Sequence, residues 1–365
     1  MNRGYIGRMR HRALAILLFL NAMAHGQQPA LIGYYAGDGR NLEEHRIEQL
    51  THLIWCFGHV RNDSMVIPRE QEPIIARMVK LKERNASMKV LLSLGGWGGC
   101  ANCSEVFSRE DGRSTFARSV LLLLERHRVD GIDLDWEYPA VQGPPGHAFN
   151  DADRHNFTLL VRELRKALGD RYEISLAAGG TNECLLKGFE WDSIMPLVDR
   201  MHIMSYDLVH GYSTRTGHHT SLFATPSQQV SAECAVNLLD SLGVPLQKVV
   251  IGAAFYARIF KDVQPEEDGL YQPGTFAHTI SCSAIDSVIT EPKGWRLRFD
   301  KRAWAAYAYH PATKRFITYD EPRSIAAKAA YVRNRGLGGI MFWQLIDDRP
   351  AGGLLNVMHD ALRAP

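Results

Sequence analysis

Long apolar runs are scarce in this chain of 365 residues. The run nearest the start, "ALAILLFL" at residues 13–20, is too short for a bilayer span, which takes about 20 residues. It follows Arg3, Arg8, Arg10, His11 and Arg12 and precedes Ala22-Met23-Ala24, a small-x-small cleavage pattern. A cleaved secretory signal over residues 1–24 is therefore expected in preference to an anchor, with the folded part at 25–365. No later segment is long and apolar enough to cross a membrane, so no membrane association is expected after cleavage. Excess charge of one sign is missing too. The net charge is +2 and no basic stripe alternates with aromatics, which argues against a nucleic-acid partner.

Cysteine is sparse. Cys56, Cys100, Cys103, Cys184, Cys234 and Cys282 all follow the signal, and six allow 15 full pairings, so connectivity stays open. Cys100-x-x-Cys103 has half of a zinc pattern, but no second pair matches it. A disulfide or a reduced pair is the better reading. Cys56 inside "LIWCF" reads as a buried free thiol. Internal repeats and low-complexity linkers are absent from the sequence, and no appended second module is expected within it. No metal or other cofactor is expected, and the chain is expected to act as a monomer.

What is present is a rhythm. Short apolar β-rich runs recur at residues 31–36, 52–60, 89–96, 131–137, 172–179, 200–207, 248–257 and 338–345. Helix-patterned segments fall between many of them, including "EPIIARMVKLKER", "RSTFARSVLLLLERH", "DRHNFTLLVRELRKAL", "AECAVNLLDSL" and "PRSIAAKAAYVRNRG". Gly336 closes the last as a natural C-terminal cap. Apolar strands alternating with helices predict a parallel sheet covered by helices, and eight units favour a (β/α)8 TIM barrel. One interval breaks the pattern. Between strands seven and eight, "FAHTISC", "GWRLRFD", "AWAAYAYH" and "RFITYD" predict a small α+β subdomain inserted at roughly 260–317.

Strand four, "VDGIDLDWEYP", carries four carboxylates: Asp130, Asp133, Asp135 and Glu137. Burying unpaired acid is costly. Strand alternation puts Asp133, Asp135 and Glu137 on one face and Ile132, Leu134 and Trp136 on the other. The acids then line the barrel lumen and rise toward its C-terminal mouth, where barrel active sites lie. Crowded carboxylates cannot all ionise, so one holds a proton near neutral pH, as a general acid must. Asp130 has the wrong parity and is expected to serve strand entry. A calcium site would set its oxygens on a glycine-bearing turn, not along an apolar strand.

"DGIDLDWEYP" matches D-x-x-D-x-D-x-E and resembles the catalytic signature of glycoside hydrolase family 18, the chitinases. "SLGGWG" (93–98), "MSYDL" (204–208), "AAFYAR" (253–258) and "GGIMFW" (338–343) are similar to that family's motifs on strands three, six, seven and eight. The resemblance implies substrate-assisted retaining hydrolysis of chitin or N-acetylglucosamine oligosaccharides, an exception to two-carboxylate glycosidases. It implies that Glu137 protonates the glycosidic oxygen, that Asp135 orients the acetamide and shares a proton with Asp133, and that Tyr206 donates to the acetamide oxygen. Asp207 would hold substrate and tune Glu137. Met204 would pack under the sugar, with Trp343 as its floor and Trp97 as a platform for its neighbour. Tyr34 would lie near the acetamide pocket, and Tyr256 and Arg258 would be cleft residues on strand seven.

Some residues have plainer readings. Trp136 and Trp55 are expected in the core. Trp97 suits either a sugar face or barrel filling. His210, His218 and His219, in "VHGYSTRTGHHT", are expected in a surface loop. No tryptophan follows "GYYAGD", where many chitinases have one, which bears on chain-length preference. A chitin-binding lectin without catalysis would be expected to lack the terminal acid, which is present here as Glu137. An endo-β-N-acetylglucosaminidase acting on N-glycans or peptidoglycan keeps the chemistry with another substrate.

Overall fold

The computed structural model describes residues 28–364, so the expected signal segment lies outside the described residues. Strand β1 (Ala30–Tyr35) pairs in parallel with β2 (His52–Arg61), which turns back through a short antiparallel strand, β3 (Ser64–Val66). The parallel ladder continues through β4 (Lys89–Gly95), β5 (Gly131–Asp135), β6 (Glu173–Gly179), β7 (Arg200–Met204), β8 (Val249–Ala254) and β14 (Gly339–Trp343). Strand β14 pairs with β1 and closes the ring. The fold is a (β/α)8 barrel.

Two apolar cores follow from strand alternation. Ile132, Leu134 and Trp136 face outward into the layer between strands and helices. There Trp136 packs 5.6 Å from Phe107 and 6.2 Å from Phe157, and Trp55 is fully buried in the same layer. Ile32, Tyr34, Ile54, Leu91, Ala177, Val250 and Met341 fill the lumen. Asp130 precedes β5 and accepts from Lys82 Nζ at 2.8 Å and from the Val90 amide at 2.7 Å, fastening the strand entry.

Helices Glu72–Lys80, Glu110–His127, Asp153–Leu168, Ala232–Ser241 and Pro322–Arg335 cover the ring. The last has local signals at both ends. Glu321 and Ser324 form a capping box, Pro322 sits in the first turn, and Gly336 takes the left-handed conformation at φ 63°. The β1–β2 crossover differs from the rest: it carries only single 3-10 turns at Leu42–Glu44 and Ile47–Gln49.

A second sheet occupies the interval between β8 and β14. It is antiparallel, in the order β10 (Thr275–Ser281), β9 (Tyr256–Lys261), β13 (Arg315–Tyr319), β12 (Ala305–His310), β11 (Arg296–Asp300). Its strands thus run slightly beyond the 260–317 interval read from the sequence. The apolar run 248–257 is not one strand. It breaks at Phe255, which stacks on Phe342 at 4.1 Å, and Tyr256 begins the second sheet. Tyr256 and Arg258 therefore belong to β9 and not to barrel strand seven, a correction the unbroken apolar run could not reveal.

The two sheets are tied by a buried ion pair. Lys328 Nζ lies 2.6 Å from Asp320 Oδ2, with both side chains fully enclosed. Asp320 also accepts from the Ala254 amide at 3.0 Å, from Thr220 at 2.9 Å and from Ser324 at 2.7 Å. This one carboxylate joins the end of β8, the loop after β7 and the helix after β13. Removing the lysine strands a buried charge, so Lys328→Ala should destabilise the fold by about 3–5 kcal/mol. Denaturant unfolding checks this, and a change below about 1 kcal/mol would contradict it.

Candidate active site

The register of the barrel builds a polar layer in the lumen. Ser93 on β4, Asp133 on β5 and Ser175 on β6 are direct cross-strand neighbours. Ser175 donates to Asp133 Oδ1 at 2.6 Å, and Ser93 donates to Oδ2 at 2.8 Å. The Tyr34 hydroxyl lies 3.1 Å from Oδ2. Burial raises the proton affinity of Asp133, and these three hydroxyls pull it back.

Asp135, two residues on, has little such help. Its Oδ1 has no hydrogen-bond partner among the described residues. Burial first, then the charges of Glu137 and Asp133, push its pKa well above the ordinary carboxylate range. Crowding therefore favours a proton kept within the pair, and with fewer donors Asp135 has the higher proton affinity of the two.

Glu137 lies past the last ladder residue of β5, beside the mouth, and is 9% exposed. Burial, with a further push from the Asp207 charge and an opposing pull from Tyr138, lifts its pKa from 4.5 to about 7. A carboxyl that is half protonated near neutrality is suited to donating and then recovering a proton.

Asp207 supplies that charge. It follows β7, which ends at Met204, short of the expected 207, and takes the left-handed region at φ 56°. Its Oδ1 accepts from the Tyr256 hydroxyl and Arg258 Nε, both on β9. Burial alone would raise its pKa, but His219 and Arg258 hold it well below the ordinary carboxylate range. Its side chain remains 38% exposed, open to the cleft.

His218 and His219 are not surface residues, contrary to the sequence expectation. Both are fully buried. His218 Nε2 lies 3.0 Å from Asp300 Oδ2, and His219 Nδ1 lies 3.7 Å from Asp207 Oδ1. Their loop folds between barrel and second sheet, and the His219 amide donates to Thr318 of β13. An isolated stretch of polar loop sequence carries no sign of that enclosure.

Two glycines permit the arrangement. A Cβ at Gly252 would lie 2.8 Å from the Tyr206 ring, so glycine on β8 makes room for that tyrosine. At Gly95 a Cβ would meet the Asp135 carbonyl at 2.2 Å, and φ there is 104°. The chain then turns through Gly96 and presents Trp97 at the mouth, 53% exposed. Cys100 and Cys103 form a disulfide just beyond, while Cys56 is a buried free thiol.

The aromatic residues surround the acids. Trp343 stacks on Phe57 at 5.5 Å and tilts against Tyr34 at 6.0 Å. Met204 and Tyr206 share the lumen cluster with Tyr34 and Tyr256. Tyr212, 63% exposed on the loop after β7, comes 6.4 Å from Trp97. Sequence reading passed over Phe57, Tyr138 and Tyr212. Only "GYS" beside the histidines hinted at the last. Among the described residues, no group of three or more His, Cys, Asp or Glu side chains is arranged to hold a metal ion.

With this row of buried acids on barrel strand four in place, the sequence of the chain matches a known family model across residues 30–348, described as "Glycosyl hydrolases family 18". The chain belongs to glycosyl hydrolase family 18. It is 30% identical over 299 residues to "Chitinase A1" of Niallia circulans, covering 75% of this chain and 43% of that protein. It is 31% identical over 321 residues to the human "Oviduct-specific glycoprotein", covering 82% of this chain and 46% of that protein. The chain thus spans about half the length of such curated relatives. Among solved structures, a family 18 N-acetylglucosaminidase from Paenibacillus barengoltzii superposes with a TM-score of 0.84 at 34% identity, covering 92% of this chain and all of that one. These relatives are named for an activity or for a tissue, so in this family catalysis must be argued from the site.

The Glu137 proton also makes a stability statement. A folded pKa above the ordinary value gives stability that is full below about 4.5 and is lost as pH rises through about 7. Glu137→Gln removes that loss. Its Tm should match the parent at pH 5 and exceed it by about 2–4 °C at pH 8. Equal melting temperatures at pH 8 would contradict the burial argument.

Proposed function

We propose that this protein is a secreted chitinase, cutting β-1,4 linkages between N-acetylglucosamine units with retention of configuration. The observation that carries the reading is the buried row Asp133, Asp135 and Glu137, ending at the mouth in a carboxyl whose pKa burial lifts to about 7. Glu137 gives its proton to the glycosidic oxygen as the C1–O bond breaks. The acetamide oxygen of the same sugar attacks C1 and forms an oxazolinium ion, and the leaving sugar departs as an alcohol. Asp135 holds the acetamide N–H and offsets the positive charge, while Tyr206 donates to the acetamide oxygen. The Glu137 carboxylate then takes a proton from water, whose oxygen opens the ring at C1 on the face first occupied by the leaving sugar. An amide positioned beside C1 has a high effective molarity, so no protein nucleophile is needed.

The other residues fall into supporting parts. Trp343 and Met204 form the floor beneath the reacting sugar, and Trp97 stacks on the next unit. Asp207, fastened by Tyr256 and Arg258, sustains the proton affinity of Glu137 and faces substrate. Tyr34 closes the acetamide pocket. No cofactor enters any step, and the chain is read as acting alone. Secretion is favoured by the leader pattern at residues 1–24 and by the Cys100–Cys103 disulfide, which suits an oxidising compartment.

A second reading concerns where the polymer is cut. The full-length likeness to a protein described as an N-acetylglucosaminidase, with Trp97 and Tyr212 meeting at the mouth, favours release of single sugars from chain ends. The test is a product profile on N-acetylchitooligosaccharides of defined length, with anomer analysis of the first product. Retention is expected, and monomer as the first product would favour the end-cutting form. Inversion would overturn the mechanism. Glu137→Gln should lower turnover at least about a thousandfold with the fold intact. Cellulose oligomers, which have no acetamide, should remain uncut.

A further inference from the structure

Beneath the carboxylate row lies a histidine that no step above uses. His202 on β7 is 1% exposed. Its Nδ1 lies 2.7 Å from the Tyr34 hydroxyl and 3.5 Å from Asp133 Oδ1. Its Nε2 is buried without a hydrogen-bond partner among the described residues. The Tyr34 ring meets it edge-on at 5.9 Å, so the imidazole plane is set by packing as well as by the hydrogen bond.

The two neutral tautomers produce different networks. With the proton on Nε2, a buried N–H points at no acceptor, and Nδ1 competes with Asp133 for the only Tyr34 proton. With the proton on Nδ1, the ring donates to the Tyr34 oxygen. The Tyr34 proton is then free to point at Asp133 Oδ2, and the orphan is a bare lone pair. Orphaned buried N–H groups are rare because their desolvation is uncompensated, so the second network is favoured. It gives one directed chain, His202 Nδ1–H to Tyr34 O–H to Asp133, in which each bond polarises the next.

The titratable and charged groups that act on His202 are Tyr34 on β1, His52 on β2, Asp133 on β5, Glu173 on β6 and Arg200 on its own strand, while Cys56, Asp135 and Tyr206 act on its partner Tyr34. Burial, then Arg200 and His52, against a smaller pull from Glu173, bring the imidazole down to about 3. It stays neutral through the range where Glu137 works.

We propose that His202 is a positioning residue: it directs the Tyr34 proton onto Asp133, so that Asp133 remains the ionised member of the pair and Asp135 carries the proton. The inference rests on the reading of Asp135 as the partner of the acetamide. When Asp135 turns from Asp133 to accept the acetamide N–H, taking the shared proton with it, Asp133 is left as a lone buried anion. Its three donors are then Ser175, Ser93 and a Tyr34 hydroxyl held in line from below.

Two measurements test this. Nitrogen-15 NMR of histidine-labelled protein reports the His202 tautomer without any substrate. Protonated Nδ1 is expected, and an Nε2–H tautomer overturns the proposal whether or not the protein cuts chitin. The second compares pH profiles of kcat/KM on N-acetylchitotetraose for His202→Asn, which keeps a donor where Nδ1 stood, and the isosteric His202→Leu, which does not. Losing the chain weakens the Asp133 anion, so its proton affinity rises and the acid limb moves up. In H202L the shift should be about half to one pH unit, roughly three- to tenfold in proton affinity, with H202N close to the parent. Equal profiles in the two variants, or a downward shift in H202L, overturn the proposal. An inactive parent with an Nδ1–H tautomer would sink the chitinase reading and, with it, the catalytic purpose given to His202, while the directed chain from His202 through Tyr34 to Asp133 would stand.

Discussion

The constraint on which the site depends is the cost of ionising carboxyls in a dry barrel. Asp133, Asp135 and Glu137 stand in one lumen-facing row, and full ionisation would place three like charges at short spacing with little water to screen them. The fold resolves this unevenly. Asp133 receives three hydroxyl donors, Asp135 has an oxygen with none, and Glu137 stands last beside an open mouth. The unevenness separates their proton affinities, and the proposed mechanism draws on that separation for an anion, a shared-proton holder and an acid.

The second sheet completes the site from outside the barrel. Burial does most to raise the proton affinity of Glu137 and the Asp207 charge adds to it, and Asp207 is kept ionised by Arg258 from β9, together with buried His219 from the loop clamped against β13. That contribution is linked to stability through Asp320, whose carboxylate binds the end of β8 as well as Lys328. The element that shapes the cleft wall is thereby fixed to the strand from which it departs. Electrostatics at the mouth and the mechanical attachment of the second sheet meet on one loop, where His219 faces Asp207 and the adjoining Thr220 donates to Asp320.

Much of this was legible in the chain. Eight apolar runs at barrel spacing, the insertion before the last of them and the parity of the acidic strand all have local causes: β-rich composition, side-chain alternation and helix periodicity. The helix Asp153–Leu168 starts and ends where its pattern does, because its amphipathic face is continuous. What escaped were features that depend on residues far apart. The change of sheet at Phe255 is invisible in an apolar run, since buried strands in either sheet need the same residues. The burial of His218 and His219 depends on Asp300, Asp207 and Thr318, none of them sequence neighbours. His202 looked like one more residue of strand six until the barrel closed over it with Tyr34 on one side and no partner on the other.

By itself the sequence determined the architecture and the order of the acids, because strand parity and the alternation of strand with helix are properties of neighbouring residues. Which acid holds a proton was decided only by the tertiary structure. Proton affinity in a barrel depends on how many donors reach each oxygen and how far water is excluded. Both are set by strands β1, β4, β6 and β7 converging on β5, and by a second sheet whose contact with the mouth no local pattern encodes.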